Sequence, residues 1–297
     1  MMSGSVKALV IGGRGRREAV RGSRRRPAPV WTRWIGLGLS AVFIAVVLVA
    51  AFFPQLLTTG DPLAVDPAAA LQPPSLQHLF GTDSTGRDQY TRMVYGSSLS
   101  LQGSLLAVLI ALVAGSLIGL ISGYIGGIVD VVIMRIIDVF LAIPGLLLSM
   151  TVVTALGFGT VNVAIAVGIG SVAVFARLMR SEVYRVRGQR YIEASRLVGS
   201  SRWRILLRHV LPNSVGTVLT LSALEFGAAI LAFSALSFLG YGAQPPQPEW
   251  GSLVDAGRNY IATAWWLVTL PGVVIVLTVL AANRISRAFD PDQRVTL

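Results

Sequence analysis

The 297-residue sequence contains no cysteine, only two histidines and a single lysine, and just 13% of its residues are charged. Without cysteine, disulfides, thiolate metal sites and iron–sulfur ligation are excluded. His78 and His209 lie far apart in the chain, so a metal site built on a histidine pair is not expected. Soluble domains carry roughly 25% charged residues. The low charge, together with 54% hydrophobic residues, therefore predicts a membrane protein.

Motifs for energy conversion and catalysis are also missing. No G-x-x-x-x-G-K-[ST] sequence occurs, and the only lysine, Lys7, lies in the N-terminal stretch, so the chain itself is not expected to hydrolyse ATP. No nucleophile–base pair or metal cluster points to an enzyme, and we expect no catalytic, metal or cofactor-binding residue. The net charge of +11 falls in three blocks between apolar runs rather than in one stripe, so nucleic acid is not an expected partner.

Long uncharged runs predict six membrane-spanning helices. A helix rises about 1.5 Å per residue and the hydrocarbon core is roughly 30 Å thick, so the uncharged run 139–176 is too long for one crossing. We divide it at Gly157–Asn162 and expect Pro144 to kink the helix before that break. The predicted spans are 34–53, 99–121, 132–156, 163–179, 215–239 and 264–283.

The arginines agree with six crossings. Cytoplasmic loops of membrane proteins are enriched in Lys and Arg, and six spans place the basic N-terminal stretch, the segment 177–208 and the C-terminal arginines on one side. Both termini are therefore predicted to be cytoplasmic. We expect residues 1–32 to be a disordered basic tail rather than part of a cleaved signal, 33–97 the first span and an external segment, 98–286 the permease core, and 287–297 a cytoplasmic tail.

The polar segment 177–212 between the fourth and fifth spans is the most informative part of the sequence. It contains nine arginines and two glutamates among regularly spaced apolar residues, with Trp203, Ile205, Leu206 and Val210 forming one apolar stripe. We predict two short amphipathic helices at about 188–212, with Gly199 in the turn and Pro212 ending the second. From the residues alone, an interfacial helix whose arginines fix orientation is an alternative.

Glu193-Ala194, Gly199 and Leu211-Pro212 resemble the EAA signature of bacterial ATP-binding-cassette importer permeases, written E-A-A-x3-G-x9-I-x-L-P. Ser195 replaces the second alanine and His209 the usual isoleucine. The resemblance implies a type I importer permease fold whose coupling helices dock into a cleft of an ATPase. It identifies the docking residues as Tyr191, Glu193, Ala194, Ser195, Gly199, Leu211 and Pro212.

Further segments from about Leu79 to Pro291 resemble the C-type subunit of the dipeptide and oligopeptide branch. These are Gly81–Asp88, Gly123–Gly127 with Asp130, Arg135 and Asp138, Ala235–Gly240 and Gln244–Gly251. The resemblance implies a multi-pass subunit of a bacterial cytoplasmic membrane that forms half of a pathway for short peptides. It also implies a homologous second permease, two ATPase subunits or domains that carry ATP and Mg, membrane lipid, and an extracytoplasmic substrate-binding protein. Asp83, Arg87, Asp88 and Trp250 are the expected external-loop contacts to that binding protein.

Several assignments remain open from the sequence. The same branch includes permeases for nickel chelates, glutathione and related solutes, and a self-contained channel or secondary carrier is a rival that would not need the docking segment. Glu225, the only deep ionisable residue in a span, is either a pathway residue or a structural partner of the sister subunit. Met150 is a further possible pathway residue, with core packing as its alternative. Arg135 and Asp138 are expected to pair on the surface of one helix.

Overall fold

The computed structural model describes residues 30–288, with side chains from residue 34 onward; the predicted tails lie almost entirely outside this range. Ten α-helices form the described part of the chain, and it contains no β-strand. The helices are α1 (Val30–Phe52), α2 (Gln89–Ile125), α3 (Gly127–Ala142), α4 (Gly145–Leu156), α5 (Thr160–Arg187), α6 (Arg190–Leu197), α7 (Arg202–Ile205), α8 (Leu211–Phe238), α9 (Trp250–Gly257) and α10 (Trp266–Ala288).

Five of the helices are individually long and apolar enough to span a membrane: α1, α2, α5, α8 continued back through α7, and α10. The sixth predicted span is not a single helix, because α3 and α4 meet at an angle of 95°. Ile143 is extended there, with ψ of 128°, as expected of a residue before a proline, and Pro144 then begins the next helix. The prediction of one kinked helix over 132–156 is therefore wrong in detail, since Pro144 separates two helices.

The α3–α4 pair nevertheless carries the chain from one end of the bundle to the other. Before α3, the carbonyl of Gly123 accepts a hydrogen bond from Arg187, at the end of α5 that leads into α6. After α4, the backbone N–H of Gly159 donates to the carbonyl of Tyr241, beyond the opposite end of α8. Counted as one broken span, the pair brings the number of crossings to the predicted six.

Other helix boundaries extend beyond the predictions. α2 begins at Gln89, ten residues before the predicted span, so the expected domain boundary at 97/98 falls inside a continuous helix. α5 continues to Arg187, which places the first part of the polar segment on a helix that packs inside the bundle.

Pro212 does not end a helix, contrary to the prediction. It lies in the first turn of α8, which follows α7 through a π-helical turn at Leu206–Val210. A proline has no backbone N–H and its ring crowds the carbonyl four residues earlier. The wider turn, in which the N–H of Leu211 donates to the carbonyl of Leu206, accommodates the proline without stopping the helix.

Close packing of α2 against α5 forms the centre of the bundle. Gly115, Gly119 and Gly123 recur every fourth residue along α2 and face α5; a Cβ atom at Gly119 would overlap the carbonyl of Ala176. Small residues at this spacing let two membrane helices approach closely. The main core cluster is built around this contact and includes Phe175 of α5, which is fully buried.

Candidate functional site

The polar segment folds into a helical hairpin made of α6 and α7, which we call the α6–α7 hairpin (residues 190–205). Gly199 ends α6 with a φ of +88°, a left-handed conformation that favours glycine. The N–H of Ser200 donates to the carbonyl of Ser195, and the N–H of Gly199 donates to the carbonyl of Arg196. This Schellman arrangement satisfies the last carbonyls of α6. The predicted turn at Gly199 is confirmed, and the hairpin has a defined geometry.

Ser201 starts the second helix of the hairpin. Its side-chain oxygen accepts a hydrogen bond from the N–H of Arg204, as an N-cap residue does. Only three residues, 199–201, therefore separate the C-terminal cap of α6 from the first turn of α7. A connection this short, capped on both sides, leaves the two helices little freedom to move apart.

Buried aliphatic side chains anchor the hairpin to the bundle. Ile192 of α6 and Ile205 of α7 are fully buried in the main core cluster, as is Val210 of the π-helical turn. The same cluster contains Val183 and Val186 near the end of α5. Burial of one such side chain stabilises a fold by roughly 1.5–3 kcal/mol, so we expect the hairpin to move with α5 as one body.

Trp203 does not join this apolar stripe, although the sequence pattern placed it there. Its side chain is 72% exposed, and Leu197 and Val198 at the end of α6 are 89% and 87% exposed. Leu207, on the first turn beyond α7, is also exposed. These four residues, which we call the apolar tip, present large hydrophobic side chains outside the bundle. Several large exposed apolar side chains in one short segment are typical of an interaction site.

Of the predicted docking residues, five lie on α6 or its turn and two at the foot of α8. Glu193 and Ala194 are exposed, and no residue among 34–288 forms a salt bridge with Glu193. Tyr191 is exposed too, and its ring lies edge-on to His209 at 6.1 Å. His209, which departs from the EAA signature, thus packs against α6. The seven residues are Tyr191, Glu193, Ala194, Ser195, Gly199, Leu211 and Pro212.

Polar contacts tie the hairpin to the turn between α2 and α3. The hydroxyl of Tyr124 donates to the carbonyl of Arg202 at 2.5 Å. The Arg187 guanidinium lies over the rings of Tyr124 and Tyr184 and donates to the carbonyl of Gly123 at 2.5 Å. Sequence reasoning missed these contacts, because no spacing rule indicates that residues 78 positions apart meet.

Two aspartates of α3 form ion pairs with arginines of α5. Asp130 in the first turn of α3 is buried and accepts hydrogen bonds from Ser122, Arg180 and Tyr184. Asp138, about two turns further along α3, pairs with Arg177 of α5 at 2.7 Å. The expected pairing of Asp138 with Arg135 on the same helix is therefore wrong, because α5 offers an arginine across the helix interface.

The predicted external contacts hold their own segment together. Asp83 accepts hydrogen bonds from the backbone N–H and hydroxyl of Thr85 and from the backbone N–H and Nε of Arg87. Burial raises the pKa of Asp83, but the hydrogen bonds from Thr85 and Arg87 outweigh it and leave the pKa below its ordinary value. Asp88 caps α2 through the N–H of Thr91 and also pairs with His78 at 2.9 Å.

Trp250 must be reassigned from a surface contact to a core residue. Its side chain is 0% exposed, and its indole N–H donates to the carbonyl of Met93 at 3.1 Å. The adjacent Glu249 is equally buried; it caps α9 through the N–H groups of Gly251 and Ser252 and accepts a 2.8 Å hydrogen bond from Ser100 of α2. Trp250 therefore fixes α9 against α2, and its buried side chain has no surface to offer a partner.

The two predicted pathway residues differ in their surroundings. Met150 on α4 is half-buried and packs against the main core cluster. This position agrees with core packing, the alternative to a pathway role. Glu225 on α8 is half-buried, and it has no salt-bridge or side-chain hydrogen-bond partner among residues 34–288. Within this part of the chain no group of three or more His, Asp or Glu side chains could hold a metal ion.

Residues 115–295 match the family model described as "Binding-protein-dependent transport system inner membrane component". The chain is 43% identical to the dipeptide transport system permease protein DppC of Alkalihalophilus pseudofirmus, over 88% of this chain and 86% of the relative. It is 42% identical to the glutathione transport system permease protein GsiD of Shigella dysenteriae, over 82% and 81%. Its fold is similar to a chain of an amino acid ABC transporter crystallised with histidines, with a TM-score of 0.54, 18% identity and coverage of 69% and 95%.

Proposed function

The chain belongs to the family of binding-protein-dependent transport system inner membrane components, and from this premise we propose that it is one of two permease subunits of an ATP-driven importer of short peptides. It forms half of the translocation pathway and catalyses no reaction itself. Its partners are a homologous permease, two ATP-binding-cassette ATPase subunits or domains that bind ATP and Mg, and an extracytoplasmic substrate-binding protein. Its termini and the α6–α7 hairpin face the cytoplasm of a bacterium.

The α6–α7 hairpin is the single observation that carries this proposal. Its apolar tip is exposed while its base is buried in the main core cluster, which also contains Val183 and Val186 of α5, so it has the form of a rigid knob. An amphipathic helix that lays apolar residues into a groove is a recurrent mode of protein recognition. We propose that the apolar tip seats in a cleft of the ATPase and that the exposed carboxylate of Glu193 pairs with a basic residue at the rim of that cleft.

The contacts of the hairpin support a route for coupling. Closure of the ATPases on ATP displaces the apolar tip, and the buried Ile192 and Ile205 carry that displacement into α5. Arg187 and Tyr124 carry it into the turn between α2 and α3. Because α2, α5 and α8 pack into one core, this movement opens the pathway alternately to the two sides of the membrane. A self-contained channel or carrier has no use for this knob.

Short peptides are the proposed substrate class. A relative named for dipeptide transport and one named for glutathione transport are almost equally similar to this chain, at 43% and 42% identity. Glutathione is itself a tripeptide, so both names fit small peptide-like solutes. Nickel chelates remain the alternative cargo. Measuring which ligands the substrate-binding partner retains would separate the two classes.

The natural absence of cysteine allows a direct test of the orientation. A cysteine at Val198, in the apolar tip, should react with a membrane-impermeant maleimide only after permeabilisation of cells that lack the ATPase subunits, so that the tip is not covered. A cysteine at Leu76, which is 99% exposed in the external segment, should react in intact cells and serves as the control. Labelling of the Val198→Cys variant from outside would overturn the proposal.

A second experiment tests the docking itself. In the purified complex, the Val198→Cys variant should cross-link to an ATPase subunit through a short bifunctional thiol–amine reagent, and the yield should change when ATP binds. The Leu76→Cys variant should give no such product. Transport of peptide by the permease without ATPase subunits would favour the carrier instead.

A further inference from the structure

A groove of about 830 Å³ runs between α1 and α10 at the end of the bundle where α10 stops. α10 follows the external α9 segment and crosses once, so this end lies on the same face as the α6–α7 hairpin. Its wall is apolar, with Leu39 and Phe43 from α1 and Leu277 and Leu280 from α10. The transport mechanism proposed above makes no use of this groove.

Two arginines of the last turns of α10, Arg284 and Arg287, line the same groove. Both are exposed, neither forms a salt bridge with any residue among 34–288, and no acidic residue contributes to the lining. The guanidinium of Arg284 lies directly over Gly36 of α1, where any Cβ atom would overlap it. The groove therefore combines an apolar floor with a cationic mouth that lacks a counter-ion in the described chain.

We propose that this groove binds an acidic phospholipid, with the headgroup phosphate on Arg284 and Arg287 and an acyl chain along Leu39, Phe43 and Leu280. A guanidinium matches phosphate oxygens with paired hydrogen bonds. Basic pockets between membrane helices on the cytoplasmic side are suited to acidic headgroups. A zwitterionic lipid would place the positive group of its headgroup beside the two arginines, which would repel it.

Lipid binding to the purified transporter complex tests this assignment. Native mass spectrometry would follow titration with phosphatidylglycerol and with phosphatidylcholine of the same acyl chains. We expect the wild-type complex to bind phosphatidylglycerol several-fold more tightly. The Arg284→Gln, Arg287→Gln double variant should weaken phosphatidylglycerol binding at least about tenfold, because each lost charge-assisted hydrogen bond weakens binding severalfold, while phosphatidylcholine binding stays constant.

Two further variants keep the outcome interpretable. Arg135→Gln removes an exposed arginine of α3 that lies outside the groove and should leave phosphatidylglycerol binding unchanged. Leu280→Trp keeps both arginines but fills the groove, and it should weaken the binding of both lipids; it replaces the double variant if that complex does not assemble. Equal binding of the two lipids by the wild type, or an effect of Arg135→Gln as large as that of the double variant, would overturn the assignment.

Discussion

Arg180 of α5 donates two hydrogen bonds of 2.5 Å to Asp130 of α3, from Nε to one carboxylate oxygen and from Nη2 to the other. The carboxylate is buried, and it also accepts hydrogen bonds from Ser122 of α2 and Tyr184 of α5. Helices α2, α3 and α5 therefore meet at one carboxylate. The pair fixes α3 against α5, and Tyr124 near the end of α2 in turn donates to the carbonyl of Arg202 in the hairpin.

Replacing Asp130 by Asn should destabilise the complex by about 2 kcal/mol, because it leaves the half-buried Arg180 without a counter-charge. Thermal unfolding of the purified complex measures the change. Asp138→Asn is the matched control, since its pair with Arg177 is exposed on both sides and should contribute no more than about 1 kcal/mol. Equal losses of stability in the two variants would show that the buried Asp130–Arg180 pair contributes no more than the exposed Asp138–Arg177 pair.

Gly199→Val should uncouple transport from ATP hydrolysis. A β-branched residue is strained at a φ of +88°, at a cost of roughly 1–3 kcal/mol, and would disturb the turn that presents the apolar tip. Peptide uptake in proteoliposomes should fall at least about tenfold, a loss equivalent to 1.4 kcal/mol. Gly188→Val is the control, because Gly188 lies on the same segment with a φ of −78°. Normal uptake by Gly199→Val would refute the role of the turn.

Trp203→Ala and Trp250→Ala should fail in different ways. Trp203 is exposed in the apolar tip, so its loss should leave the melting temperature nearly unchanged and weaken ATPase binding severalfold. Trp250 is fully buried, so its loss should cost about 3–5 kcal/mol of stability. Thermal unfolding and co-purification of the ATPase subunits measure the two effects. Loss of stability in Trp203→Ala would contradict its placement outside the core.

Glu225→Gln should alter the apparent affinity for peptide if the carboxylate faces the pathway. A carboxylate within a membrane span usually faces a cavity or a partner, and Glu225 has no ionic partner among residues 34–288. The KM for uptake should rise severalfold while ATPase coupling persists. An unchanged transport profile with weaker assembly of the two permeases would assign Glu225 to the subunit interface.

Asp83→Asn should loosen the external segment at neutral pH. The hydrogen bonds that lower the pKa of Asp83 stabilise the folded segment above its ordinary value of 3.8, and this contribution disappears as the pH falls through the lower folded value. Between pH 5 and 8, limited proteolysis of the wild type should therefore not change with pH, whereas Asp83→Asn should be cut faster throughout. Asp61→Asn, an exposed residue of the same segment, should behave as the wild type.

The sequence by itself determined the features that depend on local composition. Apolar runs fix how many segments can enter a membrane, since each must satisfy its backbone within one helix. The turn at Gly199 was also predictable, because few other residues tolerate a left-handed φ. The matched EAA pattern placed the hairpin correctly between the fourth and fifth spans.

Only the tertiary structure decided which faces of those helices meet. The sequence paired Asp138 with Arg135, placed Trp203 on one apolar stripe with Ile205 and expected Trp250 to contact a partner. In the structure α5 supplies the partner of Asp138, α2 accepts a hydrogen bond from the buried Trp250, and Trp203 is exposed. The 95° break at Pro144 and the continuous passage through Pro212 show that one residue type can have opposite effects on a helix. The physical reason lies in the backbone before each proline: Ile143 is extended, which breaks the helix, whereas the π-helical turn at Leu206–Val210 leaves room for the ring of Pro212.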